Sequence, residues 1–253
     1  MTKLHEVLAV EPDKEGIAKR MIDETRDVFK NKHHIFNGLT KSLKMDTSDE
    51  SNSSLEEASA EIIEVTTTVP ERLAYTESSI SDWLDVVLTK EAGNQGEAKA
   101  DIVIDGETIA ADLPATFLLG LEKKLKHIRD MYDSIPTLPP SLVWEKDENA
   151  QENVYRSRND DIKTKTQKRP QFRVLYDATP EHPAQVEKWM EEVVVGRYTT
   201  THQSGMIPAH RKASMMGRLD KLIQAVKQAR MRANSVQVEN LSVGSKLFDY
   251  ING

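Results

Sequence analysis

The sequence predicts a helix-dominated α+β protein, a bundle of about four long helices with a small antiparallel β-sheet or hairpins. Three observations predict it. Stretches 12–31, 69–91, 112–135 and 207–234 carry apolar residues at helical spacing and are long enough to pack as a bundle. A charged fraction of 30% with only 11 Gly and 5 Phe favours helices over a β-rich sandwich. The clearest β signal is local: Asp105–Gly106 lies between Ile102–Val103–Ile104 and Glu107–Thr108–Ile109. Such a tight hairpin turn needs positive φ, which Gly tolerates.

In chain order, Pro12 suits the first turn of a helix, and Ile17, Met21, Thr25 and Val28 then form one stripe. Residues 32–45 show no clear period, and Gly38 marks a break. Asp46–Glu64 holds seven acids and no base, with Ser and Asn between them. Too little apolar surface is available there to offset ordering entropy, so a mobile acidic loop is expected over 46–61. Thr68 and Glu71 have capping-box spacing, with Pro70 just inside the helix that follows. That helix buries Leu73, Ile80, Trp83, Leu84, Val87 and Leu88, and Gly93–Gly96 ends it.

After the hairpin, Asp112 is read as the cap of a third helix, with Pro114 in its first turn and Phe117, Leu118, Leu121, Leu125, Ile128 and Tyr132 as its stripe. Pro136, Pro139 and Pro140 must stop it near Ile135 and suggest a sub-boundary at 136–141. Short β-like runs follow at Leu142–Trp144, Val154–Arg156, Phe172–Tyr176 and Val193–Thr199, interrupted by a short helix over Ala184–Met190. The helix at 207–234 carries the stripe Leu219, Leu222, Ile223, Val226 and Ala229, and Leu247, Phe248 and Ile251 suit a docked C-terminal turn. With no internal repeat, residues 1–253 are read as a single domain.

Composition bounds the function only loosely. The chain has no Cys, which removes disulfides, thiolate metal sites and Cys nucleophiles. No stretch approaches the roughly 18 apolar residues of a membrane span, and the N-terminus lacks the pattern of a signal peptide. A soluble cytoplasmic protein without membrane partners is expected. The net charge of −7 argues against general nucleic-acid binding. No phosphate-loop, dinucleotide, nucleophile-elbow, zinc-protease or EF-hand pattern occurs, so no catalytic residue, cofactor or metal is assigned. His127, Asp130 and Asp133 could share a helix face and ligate a metal, although exposed helix polarity explains the same residues.

Two clusters suggest anion binding. The polar stretch 199–205 reads as a loop entering a helix, where free N–H groups and the helix dipole favour phosphate. Thr200, Thr201, His202 and Ser204 supply polar side chains there; Arg211 and Lys212 add charge, and Arg218, Lys221 and Arg232 extend it along the helix. A finished strand and an ordinary helix cap explain the same residues. The second cluster, Arg156–Arg173, interleaves Tyr155 and Phe172 with bases, suited to nucleic acid or to a charged edge hairpin.

MTKLHEVLAVE, TTTVPERLAYT, ADIVIDG leading into DLPATFLLGLE, IPTLPP, EHPAQVEKW and RLDKLIQAVKQARMRAN, taken together, resemble a family of uncharacterised prokaryotic proteins, also carried by phages, of about this length. The resemblance spans nearly the whole chain outside the acidic stretch. It implies one continuous unit and a bacterial or phage source, and it carries over no activity, cofactor or site. The expected function is therefore a non-enzymatic interaction or scaffold protein that associates with itself and with an unidentified protein. The alternative is a nucleic-acid or nucleotide binder that uses stretch 199–205 and the basic helix.

Overall fold

The structure is a computed structural model, and it describes residues 4–47, 50–93 and 98–234. In chain order these form α1 (Leu4–Asn31), a 3-10 turn (His33–Phe36), β1 (Asn37–Met45), α2 (Glu50–Ala58), β2 (Glu61–Ile63) and α3 (Val69–Ala92). The hairpin β3 (Lys99–Ile104) and β4 (Glu107–Pro114) precedes α4 (Ala115–Asp133). Four strands follow, β5 (Trp144–Lys146), β6 (Tyr155–Ser157), β7 (Asp161–Tyr176) and β8 (Gln185–Ser204), and then α5 (Ala209–Ala233). The expected C-terminal turn at Leu247–Ile251 lies outside the described residues.

The four-helix bundle is overturned. Instead of small decorative β pieces, the chain builds a six-stranded antiparallel sheet, ordered β2-β1-β8-β6-β5 with β7 also pairing β8. Two of its strands are 16 and 20 residues long, so strand and helix share the fold. The cause is visible at Val186, Trp189, Met190, Val193 and Val194. Their i, i+3, i+4, i+7, i+8 spacing imitates a helix, which is why Ala184–Met190 reads as one. In fact both faces of an extended strand carry apolar residues there.

Chain contacts define two compact units. The first comprises the described residues of Met1–Arg26, Tyr75–Ser134 and Ala213–Gly253. Its core includes Ala18, Ile22, Ile80, Trp83, Val87, Leu118, Leu125, Met131, Val226 and Ala229. Buried Thr25 and Thr76 share a hydrogen bond of 2.7 Å between α1 and α3, so each satisfies the other away from water. Glu11 pairs with Lys90 at 2.6 Å, and Glu122 with Arg230 at 2.6 Å. Pro12 proves to lie inside α1 rather than in its first turn, because buried Val7 already continues the Ala18–Ile22 stripe toward the N-terminus.

The hairpin turn is as expected: Asp105 and Gly106 both adopt positive φ, 52° and 89°. Asp112 does not cap α4. It sits in β4 with φ of 55°, its N–H donating to Asp101 Oδ1 at 2.8 Å, and the helix starts three residues later.

The second unit comprises Asp27–Ala74 and Ile135–Lys212. Phe29, Phe36, Val69, Ile135, Val154, Met206 and Ile207 are buried in it. The capping box forms as read: the Thr68 N–H donates to Glu71 Oε2 at 2.9 Å, and the Glu71 N–H to Thr68 Oγ1 at 3.4 Å. Gly38 lies inside β1 and breaks nothing. The acidic stretch takes regular structure as α2 and β2 rather than an irregular loop. One of its acids helps to order it, since Glu56 Oε1 accepts the Met45 N–H at 2.6 Å where β1 ends.

Candidate functional site

The stretch expected as an anion-binding loop is strand. Residues 196–204 of β8 pair with β1 in unbroken register from Met45↔Gly196 to Asn37↔Ser204. On the other side lie β7, from Asp161↔Thr200 onward, and β6, at Tyr155↔Ser204. Their backbone groups belong to the sheet rather than to a ligand. By strand alternation Thr200, His202 and Ser204 face one side and Thr201 the other, so the four side chains do not converge.

Several polar groups there are also engaged locally. Thr201 Oγ1 donates to Asp160 Oδ1 at 2.7 Å, and the His202 N–H donates to Ser157 Oγ at 3.0 Å. Ser204 is fully buried, and its Oγ accepts the Met206 N–H at 3.2 Å. The sheet is therefore joined to α5 by Gly205–Pro208, whose Gly205 N–H donates to Phe36 O at 2.7 Å.

The basic residues are dispersed. Lys212 Nζ donates to Ile135 O at 3.0 Å in the second unit, and exposed Arg211 lies one residue before it. Arg218, Lys221 and Arg232 fall in the first unit. There Lys221 pairs with Asp105 at 2.9 Å, and Arg232 Nη2 donates to Asp101 O at 2.8 Å. Two of these cations thus hold the β3–β4 hairpin. Arg218 lines an open cleft of about 460 Å³ whose apolar floor includes Ile80, Leu125, Ile128 and Leu222. At its rim the Tyr132 hydroxyl donates to Glu77 Oε1 at 2.8 Å. Burial first, and that carboxylate second, push the Tyr132 phenol well above its usual range, so it stays a donor.

Among the described residues no three His, Asp or Glu side chains converge as a metal site. His127 lies instead 3.7 Å from Asp23.

The surface whose extent sequence reasoning missed is the outer part of the β7–β8 hairpin. β1 ends opposite Gly196, and a bulge sits at Val195, whose carbonyl still accepts the Asp46 N–H at 3.0 Å. Beyond it Thr166–Tyr176 pairs with Gln185–Val194, and neither run has another strand beside it among the described residues. Alternation from that register puts Pro170, Phe172, Val174, Val186, Met190 and Val194 on one face. Phe172 is 58% exposed, Met190 67% and Val174 54%.

The opposite face carries Arg169 across from Glu191 and Arg173 across from Glu187, beside Trp189. Pro170 is tolerated because β7 is an edge strand, where a missing N–H breaks no ladder. The charged residues and Pro170 hid the first part of β7, of which only Phe172–Tyr176 reads as a β-like run. The alternation of Phe172 and Val174 with Gln171 and Arg173 is the local signal for its outer end.

No helix among the described residues is long and apolar enough to cross a membrane. No curated protein and no solved structure matches the chain. The model of DUF7873, a family of unknown function, matches residues 1–253, and the chain belongs to that family.

Proposed function

We propose that this protein is a non-enzymatic interaction protein, a scaffold that docks through the outer β7–β8 ribbon. The observation that supports this reading is the apolar stripe Val186–Val174–Phe172–Met190–Pro170, left exposed among the described residues on a two-stranded ribbon. Isolated two-stranded hairpins are only marginally stable in water, and contiguous exposed apolar patches mark contact sites. A ribbon of ten residue pairs with such a face is therefore completed by another surface. The absence of Cys suits a reducing, cytoplasmic setting.

The nucleic-acid alternative draws less support. Lys168, Arg169 and Arg173 of β7 already stand opposite Glu192, Glu191 and Glu187 of β8, and Lys221, Arg232 and Lys212 are committed to hydrogen bonds within the chain.

The test is a native mass measurement on the purified protein, alone and as the Phe172→Asp/Met190→Asp double variant. The parent is expected in a complex larger than one chain that survives high salt, because its contact is apolar. The variant is expected to fold and to run as a single chain. A parent that copurifies with material absorbing at 260 nm and releases it at high salt would overturn this reading in favour of a polyanion binder. A variant indistinguishable from the parent would overturn it too.

A further inference from the structure

We infer that the occupant of the ribbon's apolar face is the same face of a second copy of this chain. The inference rests on the docking role proposed for the ribbon and names its partner.

Charge selects the partner. The paired ribbon segments hold Lys168, Arg169, Arg173 and Lys188 against Glu187, Glu191 and Glu192. Signs alternate across the two strands: Arg169 opposes Glu191, Arg173 opposes Glu187, and Lys168 Nζ lies 3.8 Å from Glu192 Oε1. A polyanion would meet an acid beside each base, and a uniformly basic partner would meet a base beside each acid. The apolar face itself carries Lys168, Lys188 and Glu192 around Phe172 and Met190, with Lys188 Nζ 5.4 Å from the Phe172 ring. A surface with cations and an acid set around an apolar stripe is complementary to its own two-fold image, which supplies an apolar centre and both signs at the rim.

Edge-to-edge assembly is the poorer solution. Joining β7 to a second β7 would place Lys168, Arg169 and Arg173 beside their copies, and joining two β8 strands would gather Glu187, Glu191 and Glu192. A β7-to-β8 edge contact would repeat head to tail and need not close. Stacking the apolar faces is closed and leaves the Arg169–Glu191 and Arg173–Glu187 pairs in water.

The expected size of the contact sets its strength. A ten-residue ribbon is about 33 Å long and about 10 Å wide, so two stacked faces bury on the order of 700 Å². Stable interfaces bury roughly 1,200 Å² or more, so ribbon stacking alone gives a reversible, concentration-dependent dimer.

A chain without Cys makes the test direct. Met190→Cys places one thiol on the apolar face, and Glu191→Cys places one on the opposite face. Stacked sheets lie about 10 Å apart, within reach of a short bis-maleimide for the first position and well beyond it for the second. Treatment of concentrated full-length protein should link Met190→Cys into dimers and leave Glu191→Cys as single chains, and dilution before treatment should abolish the link. Linking at Glu191→Cys, or at neither position while the mass is that of a dimer, would overturn the face-to-face inference and leave the docking role standing. A Phe172→Asp/Met190→Asp variant that still dimerises like the parent would sink both.

Discussion

One strand, β8, lives in two environments. From Gly196 to Ser204 it is flanked by β1 on one side and by β7 and β6 on the other, and its end carries the buried Ser204. From Gln185 to Val194 it has β7 alone among the described residues, and nearly every residue is exposed. Composition does not set the difference: the inner half is mostly polar, from Arg197 to Ser204, whereas the outer half holds Val186, Trp189, Met190, Val193 and Val194. Neighbours do. The inner half obtains its order from this chain, whereas the outer half has an apolar face that nothing among the described residues covers. Packing inside a chain fixes a fold; packing left undone marks where another molecule belongs.

Substitutions at the two ends of β8 should break this comparison most sharply. A Cβ at Gly196 would lie 2.8 Å from Lys44 O and 2.9 Å from Met45 Sδ, with backbone unable to retreat. Gly196→Val should therefore cost about 3 kcal/mol in denaturant unfolding, as overpacking does. An unchanged midpoint would mean that the inner half is no tighter than the ribbon.

The β3–β4 hairpin offers a second contrast, because its turn rather than a partner sets its register. Gly106 has φ of 89°, so Gly106→Val should cost about 1–2 kcal/mol without changing the association state. A changed mass with intact stability would assign the hairpin an interface role instead.

Acid should discriminate as well. Burial alone would raise the Glu91 carboxyl, but hydrogen bonds from Thr116 and Lys90 and the Lys90 charge hold it below its usual range. A depressed carboxylate contributes stability that is present above its unfolded value of about 4.5 and is lost as pH falls through the lower folded value. Thr116→Val should cost about 1 kcal/mol near neutrality and move acid unfolding to higher pH, read by circular dichroism. Glu192→Gln, whose partner Lys168 is 70% exposed, should leave acid unfolding in place.

The smallest stability effect belongs to the ribbon. Met190→Lys should shift the melting midpoint of dilute protein by no more than about 0.5 kcal/mol in free energy. A larger loss would mean that Met190 packs within its own chain.

The sequence was legible wherever one face of an element meets the core. The Thr68–Glu71 box, the Asp105–Gly106 turn and the stripes of α3, α4 and α5 are local signals, and each appears in the structure. The β-like runs Leu142–Trp144, Val154–Arg156, Phe172–Tyr176 and Val193–Thr199 do touch β5 to β8, but the size of the sheet was illegible because its longest strands carry no single buried face. Thr164 to Arg169 of β7 reads as a solvated charge run, and Val186 to Val194 of β8 has helical spacing. The candidate anion site failed for a related reason. Thr199–Ser204 is polar enough to look like a loop, yet pairing with β1, β6 and β7 consumes its backbone groups, and the β1 partners are distant in sequence, as in Asn37↔Ser204. Of the residues chosen for that site, Lys221 and Arg232 serve the β3–β4 hairpin instead, a role that sequence spacing alone could not reveal.

Amide hydrogen exchange along β8, followed at low and high protein concentration, tests the central claim most directly. The amides of Gly196–Ser204 should be protected equally at both concentrations. Those of Gln185–Val194 should exchange quickly in dilute protein, as an isolated two-stranded ribbon does, and slow as concentration rises and a second copy covers the stripe. Ribbon amides that are equally slow at both concentrations, or equally fast, would contradict the account.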